Sequence, residues 1–106
     1  MDFKLFAILY QEALEYDNFD MYTSKHGWQE WMDDFDEKNN LGDILLNIYN
    51  LSKMSIEEMR ESAGISQTKF AISYNIPIKI VKDWEAGVAT IPDYTQMLIA
   101  YTFFYN

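Results

Sequence analysis

The ionisable side chains of this sequence fall into two groups that invite different chemistry. Asp33, Asp34, Asp36 and Glu37 form a run of carboxylates of the kind that can hold calcium. An EF-hand loop needs alternating oxygen ligands, a glycine at its sixth position and a closing glutamate. Counted from Asp34, that sixth position is Asn39, so the pattern fails and the run reads as a solvated acidic face. Lys69, Lys79 and Lys82 make the other group, a modest basic edge able to grip phosphate oxygens. Nothing pairs a nucleophile with a base. His26 is the single histidine and reads as a loop residue between Lys25 and Gly27, and no serine or threonine has a basic partner at a recognisable spacing. There is no glycine-rich phosphate loop, and without cysteine there is neither a thiolate zinc site nor a disulfide. The expectation is a binding protein rather than an enzyme, with no catalytic residue, metal, cofactor or small-molecule substrate.

The charge balance constrains what is bound. Lys plus Arg number 8 against 17 Asp plus Glu, a formal net charge of −9. Residues 1–50 hold 11 acids against Lys4, Lys25 and Lys38, whereas residues 51–106 hold six acids against five bases. A polyanion binder usually carries a clear basic footprint, and this chain confines most of its cations to the second half. A hydrophobic content of 49% over 106 residues suffices for one packed domain, or one domain with an N-terminal extension. No apolar run, Met97–Tyr101 included, comes near the roughly 20 residues a membrane span requires. No charged segment leads into an apolar secretory stretch, so a cytoplasmic protein with no membrane partner is expected.

The elements that must position these groups are helical. Phe3, Phe6, Ala7, Tyr10, Ala13 and Leu14 recur at helical spacing over Phe3–Tyr16, and Leu5, Ile8 and Leu9 widen that face enough to predict packing on two sides. Asn18–Lys25 predicts a further turn or two, with a break at His26-Gly27. Trp28–Phe35 predicts a short helix with Trp28, Trp31, Met32 and Phe35 on one side and acids on the other. Leu41, Ile44, Leu45, Ile48 and Leu51 form the stripe of another helix. From Ser55 the punctuation is dense. Ser55-Ile56-Glu57-Glu58 is a capping box flanked by Met54 and Met59 as a hydrophobic staple. Gly64 suits the left-handed turn after a helix, and Ser66 caps the next one, with Ile65 and Phe70 as its staple. That helix should turn Phe70, Ala71 and Tyr74 inward. Pro77 is expected in the first turn of a third helix that turns Val81 and Trp84 inward and stops at Gly87. Pro92 starts a final helix that is apolar almost all round.

Two short helices joined by a tight turn, with small Ala71 at their crossing, make a helix-turn-helix unit. The sequence Arg60-x-x-x-Gly64-Ile65-Ser66-Gln67-x-x-Phe70-Ala71, then Ile76-Pro77, then Val81-x-x-Trp84-Glu85-x-Gly87 resembles the Cro/lambda-repressor (XRE-like) superfamily, without gaps. Residues 1–50 resemble only the extensions of small helix-turn-helix proteins from bacterial mobile elements. The resemblance implies that residues 53–106 form the helix-turn-helix domain of an all-α fold; residues 1–52 read as an acidic helical extension that, with no long flexible linker in the sequence, is expected to dock on it. It implies a buried salt bridge between Arg60 and Glu85 whose role is scaffold. It places Gln67, with Thr68 and Lys69 beside it, against the phosphate backbone and an edge base. Ile78 and Lys79 fall at its base-reading positions, with Lys82 and Asp83 one turn on. Lys79 can donate to guanine O6 and N7, Ile78 can touch a thymine methyl, and Asp83 can accept from cytosine N4. Asp83 also lies four residues after Lys79, where the two can pair. The sequence departs from the family in the loop after the third helix, where Val88-Ala89-Thr90-Ile91 replaces the usual phosphate-gripping cations.

Two functions follow as expectations. The first is a sequence-specific regulator of a phage or bacterial mobile element that binds double-stranded DNA, as a homodimer if its apolar final helix serves as a seam. The second is an acidic inhibitor, of the anti-CRISPR or DNA-mimicking kind, that keeps the fold but docks on a basic, nucleic-acid-handling protein. Trp28, Trp31, Asp33, Asp34 and Asp36 would then form the partner-binding patch; otherwise the tryptophans are core anchors of the extension.

Overall fold

Every element among the described residues is an α-helix; the structure, a computed structural model, describes residues 1–26 and 41–105. In chain order these are α1 (Phe3–Leu14), α2 (Phe19–His26), α3 (Leu41–Ser52), α4 (Ile56–Ser62), α5 (Gln67–Tyr74), α6 (Ile78–Ala86) and α7 (Asp93–Tyr105). The fold class is all-α. The chain divides into two units, one comprising Met1–Lys53 with Phe104 and Tyr105, the other Met54–Phe103.

In the first unit, the Asp2 carboxylate accepts from the Leu5 N–H at 2.9 Å and starts α1. The helix stops at Leu14, earlier than its apolar spacing predicts. The N–H groups of Glu15 and Tyr16 turn back to the carbonyls three residues before them, and Asn18 then caps α2 through the Met21 N–H at 2.8 Å. His26 closes α2, so it belongs to a helix rather than to a loop. Phe6, Leu9, Tyr10 and Ala13 are buried as α1 packs on α3, which contributes Leu41, Ile48, Tyr49 and Leu51. Ile8 and Leu14 stay about half exposed, so α1 buries one face and not two. Tyr22 is buried against Ala13 and Tyr49, with Tyr16, Phe19 and Leu45 around them. Its hydroxyl donates to the Leu9 carbonyl at 3.1 Å, and burial, aided by the charge of Glu12, raises the phenol above its ordinary pKa. Lys53 ties the end of α3 back to the α1–α2 turn, donating to the Tyr16 carbonyl at 2.6 Å from above the Tyr49 ring. Phe104 packs on Phe6 with ring centroids 5.3 Å apart, and the Tyr105 hydroxyl donates to the Met1 carbonyl.

The second unit is ordered by its caps. Ser55 Oγ accepts from the Glu58 N–H at 3.1 Å while the Ser55 N–H donates to Glu58 Oε1 at 3.0 Å, completing the capping box. Ser66 Oγ accepts from the Lys69 N–H at 3.1 Å and opens α5. Pro77 is the N-cap of α6 rather than its first helical residue; with ψ at 134° it is still extended, and its carbonyl accepts from Ile80 and Val81. Gly87 ends α6 at φ 77°. A Cβ there would meet nothing within 4 Å, so only backbone strain opposes substitution. Gly87→Ala is expected to cost about 1 kcal/mol, read as a melting midpoint roughly 4–8 °C lower. The core is Ile56, Met59, Phe70, Ala71, Val81, Ile99 and Ala100. Phe70 is flanked by the rings of Tyr74 and Phe103, and the Gln96 amide donates to the Met54 carbonyl at 3.0 Å. Tyr74 and Trp84 are half-buried, each keeping an edge at the surface. Helix α7 buries Ile99 and Ala100 and leaves Tyr94 and Leu98 exposed.

Candidate nucleic-acid interface

The site is built on the crossing of α5 and α6. Ala71 is buried at 4% exposure and Val81 is fully enclosed, so small and branched side chains bring the two helices together at their crossing. The chain turns between them in three residues. Asn75 takes the left-handed conformation, φ 53° and ψ 45°, and its N–H and that of Ile76 satisfy the last carbonyls of α5. Asparagine tolerates this conformation better than other non-glycine residues.

The orientation of α6 is fixed on its other side by an ion pair. Arg60 on α4 grips Glu85 on α6 through two hydrogen bonds, Nε to Oε2 at 3.0 Å and Nη2 to Oε1 at 2.8 Å. Its Nη1 donates to the Ile65 carbonyl at 3.0 Å, and the Gln67 amide donates to Glu85 Oε1 at 3.1 Å. The two charged side chains are 13% and 5% exposed. One guanidinium thus joins α4, the α4–α5 turn and α6, and Gln67 adds the start of α5. The Arg60 hydrogen bonds hold the Glu85 carboxyl below the usual carboxylate range, and the same bonds push the guanidinium higher still.

A depressed carboxyl pKa stabilises the fold above the unfolded-state value, near 4.3 for glutamate, and that stabilisation is lost as pH falls through the lower folded value. The melting midpoint is therefore expected to fall below about pH 4.3, and to fall less steeply in Glu85→Gln. Parallel thermal melts of the two proteins between neutral pH and pH 3 measure the difference. Parallel curves would remove Glu85 as the source.

Ile78, Lys79, Lys82 and the half-buried Asp83 share one side of α6 by their spacing, while Ile80, 40% exposed, lies on another. Lys79 is exposed, with its side chain 84% accessible, yet its ammonium donates to Asp83 Oδ2 at 3.2 Å. Lys82 is exposed on the same side. On α5, Thr68 and Lys69 are exposed, while Gln67 is half-buried with its amide committed to Glu85. The structure thus ties Gln67 into the scaffold, a role invisible in the sequence because the two residues share no local pattern. Beside Ile78 opens a shallow groove of about 520 Å³, lined by Thr68, Ile72, Asn75, Ile76, Pro77 and Ile78. Ile72 is 75% exposed there. The signal for it was present, since Ile72 lies off the inward set of Phe70, Ala71 and Tyr74. In the loop after α6, Val88 is exposed at 74%, and its neighbours Ala89, Thr90 and Ile91 carry no charge.

Trp28, Trp31, Asp33, Asp34 and Asp36 lie outside the described residues, as does the short helix expected over Trp28–Phe35. Among the described residues no helix is long and apolar enough to cross a membrane. Comparison with protein-family models, with curated proteins and with solved structures finds no match to this chain.

Proposed function

We propose that this chain is a sequence-specific double-stranded-DNA-binding regulator in which α5 and α6 act as a helix-turn-helix and α6 enters the major groove. The observation that carries the reading is the way α6 is held. Clamped through Glu85 and Val81 on its inner side, it carries Ile78, Lys79, Lys82 and Asp83 together on one side, with Lys69 of α5 as a further cation. A rigid helix presenting base-reading and phosphate-gripping side chains is what major-groove recognition requires. The XRE-like pattern from Arg60 to Gly87 supports the same reading by analogy, including its setting in a phage or bacterial mobile element, its cytoplasmic location and a homodimer that would double the phosphate contacts.

A second reading has its own observation. The net charge of −9 and the cation-free, exposed loop at Val88 suit a protein that docks on a basic, nucleic-acid-handling partner. Selection from a random double-stranded DNA pool, at low and near-physiological salt, separates the two. An enriched motif, palindromic with half-sites one helical turn apart for a dimer, is the outcome expected of the regulator. No enrichment even at low salt would refute it and leave the inhibitor.

A further inference from the structure

We infer that the groove beside Ile78 reads thymine through its C5-methyl group, so that methyl contact rather than a hydrogen bond to guanine sets base preference at the start of α6. The inference rests on the DNA-binding reading and specifies what that site recognises.

Four observations support it. The first residue of α6 is an isoleucine, which can neither donate nor accept at a base edge, and it is 36% exposed. It opens onto a groove whose lining is largely aliphatic, from Ile72, Ile76, Pro77 and Ile78. The neighbouring donor is shared, since one of the three N–H groups of the Lys79 ammonium reaches Asp83 Oδ2 at 3.2 Å. Guanine O6 and N7 would have to share the ammonium with that carboxylate, and would face the negative charge of Asp83 themselves. Finally, Lys69, Lys79 and Lys82 are all exposed on the two helices that form the groove, in the half of the chain that holds five of its eight cations. Their charge complements phosphates, which favours a nucleic-acid occupant over an apolar segment of another protein. Among the base edges of the major groove, the apolar group on display is the thymine methyl.

The test uses the full chain and a duplex enriched from the random pool, resynthesised with deoxyuridine in place of thymidine at one position at a time. This removes a methyl and leaves every Watson–Crick pair intact. At each thymine read by the groove, affinity is expected to fall about fourfold, the equivalent of one buried methyl. Ile78→Ala should bind thymine and uracil duplexes alike while keeping the parent's salt dependence. Equal affinity of the parent for both duplexes would overturn methyl reading and leave DNA binding standing. Failure to enrich any duplex would overturn both. The deoxyuridine comparison needs only the parent protein, so it decides the matter even if Ile78→Ala is poorly folded.

Discussion

Arg60→Met is expected to destabilise the Met54–Phe103 unit by about 3–5 kcal/mol, enough to unfold it at moderate temperature. The substitution keeps most of the apolar stem and removes the charge, so Glu85, 5% exposed, is left as a buried carboxylate whose one remaining partner in the network is the Gln67 amide. Removing one member of a buried ion pair costs more than the pair ever contributed, because the survivor is neither solvated nor neutralised. The Ile65 carbonyl is deprived of the Arg60 donor as well. Thermal melts followed by circular dichroism measure the effect, and a midpoint within about 2 °C of the parent would sink the argument. The double variant Arg60→Met with Glu85→Leu is expected to recover much of the stability, since an apolar pair of similar volume removes the orphaned charge. Recovery would show that the pair's role is to set the position of α6 rather than to supply net stability.

The second large effect falls on binding. Lys79→Ala combined with Lys82→Ala is expected to weaken DNA affinity about a hundredfold, through removal of two phosphate interactions. The salt dependence should flatten by about 0.9 in slope for each phosphate no longer gripped. Both lysines are exposed, so the melting transition should stay within about 0.5 kcal/mol of the parent. Without Lys79, Asp83 has no cation beside it on α6 to offset its charge, which adds repulsion toward the phosphates to the missing attraction. Titration of the selected duplex by fluorescence anisotropy at several salt concentrations reads affinity and slope together. Unchanged affinity would remove α6 from the interface. Neutralising Asp33, Asp34 and Asp36 provides the opposite arm: a DNA reader should tolerate it, whereas an acidic inhibitor should release its partner.

What could be read from the sequence was local. The Ser55–Glu58 box, the Ser66 cap and the left-handed Gly64 and Gly87 are decided by residues within one turn of each other, so the sequence carries them directly. The inward positions Phe6, Ile48, Phe70 and Val81 follow from helical spacing. The exposure of Ile8 was not legible, because an isoleucine on a broad apolar face has the same spacing whether or not a neighbouring helix covers it. Nor was the bond from Gln67 to Glu85, which joins residues 18 apart and leaves no periodic trace. The pairing of Arg60 with Glu85 follows from the XRE-like resemblance alone; spacing would leave each a surface charge. Pro77 shows the limit at element ends, since its fixed φ is the same at the N-cap and one residue later, and only ψ distinguishes the two.

The first unit is discontinuous. It draws Phe104 and Tyr105 into a body otherwise made of Met1–Lys53, and the Tyr105 hydroxyl meets a carbonyl 104 positions earlier. Synthesis at about 5–20 residues per second means that residues 54–103 are made during an interval of roughly 3–10 s in which the first unit lacks these partners. The second unit, being contiguous, has its full set of partners available before the first does. The two units thus receive their last partners within one residue of each other, at Phe103 and Phe104, and until then Phe6 stays one aromatic neighbour short.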